Sequence, residues 1–84
     1  MKYPESERNE LAWNNAGNVL QAQIIILIEL GTSIEDAEKD FQQRIDKSHK
    51  NSSREWVTLM QASKMEYIKA YRWALHLNEQ GKLV

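Results

Sequence analysis

The stretch Ile24-Ile25-Ile26-Leu27-Ile28-Glu29-Leu30-Gly31-Thr32-Ser33 decides how this chain is read. Five successive apolar residues at 100° each pass around the whole circumference of a helix, so the helix that carries them must be covered on several sides. Gly31 then stops that helix, and Ser33, with Glu35 and Asp36 behind it, has the chemistry of an N-cap for the next one. Leu30–Ser33 is therefore a tight corner between two helices.

Upstream of the corner, Pro4 suits a first helical turn, and Glu5 and Glu7 sit where the macrodipole favours negative charge. The pattern predicts one helix over 4–30, about 26 residues or roughly 40 Å long. Downstream, Ile34, Ala37, Phe41 and Ile45 recur at steps of three and four, which predicts a short amphipathic helix over 34–48. A Ser52-x-x-Glu55 capping pattern opens a third helix over 53–80, closed by Gly81. Its seam runs Trp56, Met60, Ser63, Tyr67, Ala70, Ala74 and Leu77, widened by Val57, Ile68, Tyr71 and Leu75.

Composition points the same way. The 84 residues make one domain, 1–84, with room for a single core. Three Gly and one Pro are too few for the turns of an all-β fold, so the fold class is all-α. Eleven basic against twelve acidic residues leave a formal charge of −1, which favours neither a phosphate backbone nor an anionic membrane as partner. The absence of Cys excludes thiolate chemistry and disulfides, and with no apolar leader in the first residues a cytoplasmic location is expected. The Ile24–Ile28 run is far short of the roughly 20 residues needed to span a bilayer.

Unequal lengths carry an expectation about assembly. A stub of about 15 residues cannot cover two partners near 40 Å long, which leaves apolar overhangs. These are Leu11 and Trp13 at one end and Tyr71, Trp73, Leu75 and Leu77 at the other. The predicted architecture is thus two long helices and one short, a helical bundle completed by dimerisation, with a homodimer as the expected state. Trp73, Tyr71, Leu77, Trp13 and Leu11 are the candidate protein-binding residues. Trp73, at the edge of the apolar arc beside Glu66 and Lys69, has the make-up of an interface hot spot.

Chemistry-bearing constellations are sparse. The two His, His49 and His76, lack metal-ligand spacing, and the acids of 34–48 alternate with Lys39, Arg44 and Lys47 as a solvated face does. No metal and no cofactor is expected. The only locally basic region is the second junction, where Arg44, Lys47, Lys50 and Arg54 are candidate nucleic-acid contacts. Its lack of Gly departs from a helix-turn-helix.

Arg44-Ile45-Asp46-Lys47-Ser48-His49 places an Arg and a His five positions apart near a helix end. That spacing resembles the Arg-x4-6-His motif of the HEPN-type helical ribonucleases. The resemblance implies a dimer cleft that cleaves RNA, with Arg44 stabilising the phosphate and His49 acting as acid or base. Ile45 stands where that family carries a polar residue, and the chain is shorter than those domains.

The leading reading is a small non-enzymatic helical protein that acts by protein-protein binding, as a regulator, adaptor or inhibitor of a larger assembly. Chains of this size and charge balance are also common among phage and mobile-element proteins. A small DNA-associated transcriptional regulator is the alternative, and a HEPN-like ribonuclease the second.

Overall fold

A computed structural model describes residues 4–48 and 53–83, with the side chains from residue 7 onward. Among the described residues the chain is all-helical, with four helices in place of the expected three: α1 (Pro4–Asn15), α2 (Gly17–Glu29), α3 (Ile34–Ser48) and α4 (Arg54–Glu79). The expected helix over 4–30 is broken. Gly17 takes φ +84°, a left-handed conformation that an L side chain adopts only at a cost, and the chain redirects there. Gln21 bridges the break, its Nε2 donating at 2.8 Å to the Trp13 carbonyl oxygen, which also accepts from the Ala16 N–H at 3.2 Å.

The other boundaries follow local chemistry. At the end of α2 the Gly31 N–H donates to the Ile28 carbonyl and the Thr32 N–H to the Leu27 carbonyl, both at 3.0 Å, a Schellman closure made possible by the positive φ of Gly31. Ser33 Oγ accepts from the Asp36 N–H at 3.1 Å, as its sequence position predicts. At α4 the capping side chain is Ser53, which accepts from the Trp56 N–H at 3.1 Å. Ser52, the expected cap, lies outside the described residues.

With the long first rod divided, α4 is the single long element, 26 residues or about 39 Å. It is the spine of the fold. α1 forms the largest interface with it, α3 the next and α2 a smaller one, while α1 and α2 touch each other little. α3 runs antiparallel to α4: Thr32 meets Tyr71, Phe41 stacks on Tyr67 with ring centroids 5.1 Å apart, and Lys64 Nζ donates to Gln42 Oε1 at 2.8 Å. Lys64 also pairs with Glu38 at 3.7 Å.

The core gathers Ala12 and Trp13 of α1, Ile24 and Ile28 of α2, Ala37 of α3, and Tyr67, Ala70, Tyr71 and Ala74 of α4. Small residues at 70 and 74 let α4 approach its neighbours closely, and Tyr71 and Ile24 fill the space between them, both with no exposed surface. Burying side chains of this size contributes about 1.5–3 kcal/mol each.

This packing corrects the expected overhangs except at Leu11, which is exposed. Trp13 and Tyr71, predicted to protrude, are buried in their own chain, 8 % and 0 % exposed. Trp73, Leu75 and Leu77 are half-buried against the same core. The reason is the break at Gly17: without a 40 Å first helix, α1 and α2 lie separately on α4 and the length mismatch disappears. The isoleucine run is only partly enclosed, with Ile24 and Ile28 facing inward and Ile26 facing out.

Candidate functional site

α2 is the most apolar helix of the chain, and among the described residues it carries no charge before Glu29. Its inner face is committed through Ile24 and Ile28. On the opposite side Val19 is 74 %, Ile26 55 % and Leu30 75 % exposed. With Gln23 they follow steps of four, three and four, which brings all four onto one narrow stripe of a helix.

The stripe borders a cleft through Gln23 and Ile26. Between α2 and α3 lies an open groove of about 290 Å³, lined by Leu20, Gln23, Ile26 and Leu27 from α2 and by Ala37, Asp40, Phe41 and Arg44 from α3, with Tyr67 of α4 also contributing. The groove exists because α2 and α3 are both held by α4 and barely by each other. Its lining is mainly aliphatic and aromatic. The two charges at its α3 wall neutralise each other, Arg44 Nη2 donating to Asp40 Oδ2 at 2.9 Å.

Tyr67, 8 % exposed, has its phenol pushed above the usual tyrosine value, chiefly by burial; the Arg44 charge opposes this and the Asp40 carboxylate adds to it. Burial likewise raises Tyr71, with a smaller push from Tyr67. Both phenols are therefore held neutral, as hydrogen-bond donors. Tyr71 uses its proton on the Thr32 carbonyl oxygen at 2.9 Å.

The sequence-predicted residues fall in three groups. Leu11 is exposed on α1, Trp73 and Leu77 are half-buried, and Trp13 and Tyr71 are core. Trp73 stacks on His76 with ring centroids 5.0 Å apart. Of the basic candidates, Arg44 is engaged by Asp40, Lys47 and Arg54 are exposed, and Lys50 lies outside the described residues together with His49. Among the described residues no group of three or more His, Asp or Glu is placed to hold a metal ion. No helix there is long and apolar enough to cross a membrane.

Sequence reasoning missed the Val19–Leu30 stripe and its groove, since a run apolar on all sides hides which face stays open. The signal was the uncharged stretch from Gly17 to Ile28, which gives α2 no polar face to turn to water. Comparison with protein-family models, with curated proteins and with solved structures finds no match.

Proposed function

We propose that this chain is a non-enzymatic helical protein that works by binding protein, and that the α2 stripe with the α2–α3 groove is its contact surface. The observation that carries the reading is the exposure of Val19, Ile26 and Leu30 along one side of a helix that lacks any charge until its last residue. Scattered exposed apolar residues are ordinary; a contiguous stripe beside an apolar groove is the form of a helix-in-groove recognition site. A helix laid along it meets aliphatic side chains at successive turns and needs no counter-charge at the Asp40–Arg44 pair. A regulator or adaptor of a larger assembly is the kind of role such a surface serves.

The test is capture of partners on the immobilised full chain, identified by mass spectrometry and rebuilt from purified components. Binding should be lost with Ile26→Glu and kept with Leu59→Glu, which alters an exposed apolar residue on α4. Capture of the same partners by wild type and Ile26→Glu overturns the reading.

A further inference from the structure

We infer that the floor of the α2–α3 groove is a small-molecule site, taking an uncharged aromatic compound whose carbonyl oxygen accepts the Tyr67 phenol proton. This goes beyond the protein-binding reading and does not rest on it. The exposed stripe touches the groove only through Gln23 and Ile26, whereas the site is built on Tyr67 and Phe41.

The observation that carries the inference is an unspent donor. Tyr67 is 8 % exposed, and among the described residues its hydroxyl makes no hydrogen bond. A buried tyrosine ordinarily finds a partner, as its neighbour Tyr71 does on the Thr32 carbonyl oxygen. The Tyr67 ring is held by Phe41, with centroids 5.1 Å apart, and by Tyr71, edge-on at 6.0 Å. Its hydroxyl lies within the field of Arg44 and Asp40, which places it toward the α3 wall of the groove. A buried donor without an acceptor is a cost of folding that a bound acceptor removes.

The rest of the lining sets the class of ligand. Leu20, Leu27 and Ala37 offer aliphatic walls and Phe41 an aromatic one, which suits a flat apolar body. A volume of about 290 Å³ is at the small end of ligand cavities and matches a body of about two fused rings. Charge decides the polar group. Asp40 and Arg44 already satisfy each other at 2.9 Å, so an entering carboxylate or ammonium would break that pair and face a like charge. A neutral carbonyl needs only the phenol proton.

Titration of the full chain into a trace of the neutral naphthyl ketone prodan, followed by its emission, tests this. Binding should be saturable at one probe per chain, with the emission shifted to the blue by the apolar walls. Tyr67→Phe, which keeps the ring, should weaken it about threefold to tenfold with helical circular dichroism unchanged. Dimethylaminonaphthalene, the same ring system without the ketone, should bind wild type and Tyr67→Phe alike, so that the loss belongs to the hydroxyl–carbonyl pair. Leu59→Glu, at a separate apolar surface of α4, should leave prodan binding intact. The anionic anilinonaphthalene sulfonate should bind more weakly than prodan. No saturable binding by wild type, equal prodan affinity in Tyr67→Phe, or loss of binding in Leu59→Glu overturns the inference. A Tyr67→Phe loss equally large for the ketone-free probe overturns the hydrogen bond, and tighter binding of the sulfonate overturns the uncharged class.

Discussion

The Tyr71 hydroxyl donates to the Thr32 carbonyl oxygen at 2.9 Å, tying the middle of α4 to the corner between α2 and α3. Thirty-nine positions separate the two residues, and the bond fixes where the corner sits on the spine. Tyr71→Phe removes the donor, keeps the ring and leaves the carbonyl with one partner fewer. The expected loss is about 1 kcal/mol, read as a lower urea midpoint with unchanged slope.

Gly17 answers a different question. A Cβ at this position meets nothing within 4 Å, so only the backbone at φ +84° opposes a side chain. Gly17→Ala should therefore cost about 1–2 kcal/mol, and Gly17→Asn less, because Asn tolerates the left-handed region. Equal thermal midpoints for wild type and Gly17→Ala would show that the break does not need this conformation.

Ile24 and Ile26 are two positions apart and face opposite environments, 0 % and 55 % exposed. Ile24→Ala should destabilise by about 2–5 kcal/mol through lost burial and a cavity. Ile26→Gln, in chemical denaturation, should change the folding free energy by less than about 0.5 kcal/mol.

Tyr67 and Tyr71 set an alkaline limit. Both folded pKa values lie above the ordinary 10.0, so above pH 10 the unfolded chain has released phenol protons that the folded chain still holds. By linkage, their stabilising contribution is complete below the unfolded pKa and is lost as pH rises through the raised folded values. The urea midpoint should fall from pH 9 to pH 11, about one unit either side of the ordinary tyrosine value. The decline should be shallower in the Tyr67→Phe/Tyr71→Phe double variant.

Much of the architecture was legible because it is written in local chemistry. Ser33 and Gly31 announce the corner they form, and Ile34, Ala37, Phe41 and Ile45 mark the face of α3 that packs inward. The break at Gly17 does not follow from the helical pattern, although Asn14, Asn15, Gly17 and Asn18 crowd four poor helix formers into five positions. An isolated glycine in an otherwise helical pattern costs only about 1 kcal/mol, and the sequence alone does not tell that α4 rewards a change of direction there. The expected overhangs follow from an unbroken rod; with the rod broken, Trp13 and Tyr71 lie in the core while Leu11 stays exposed. The groove was illegible for a related reason, since its opening depends on how far α4 holds α2 and α3 apart.

The spine is the last of the four helices to be synthesised. When Ile24, Ile28 and Ala37 have left the ribosome, Tyr67, Ala70, Tyr71 and Ala74 are still to come, and the earlier helices have little to grip in one another. The nascent chain must wait, its greasy α2 uncovered, until translation has delivered the template on which everything else condenses.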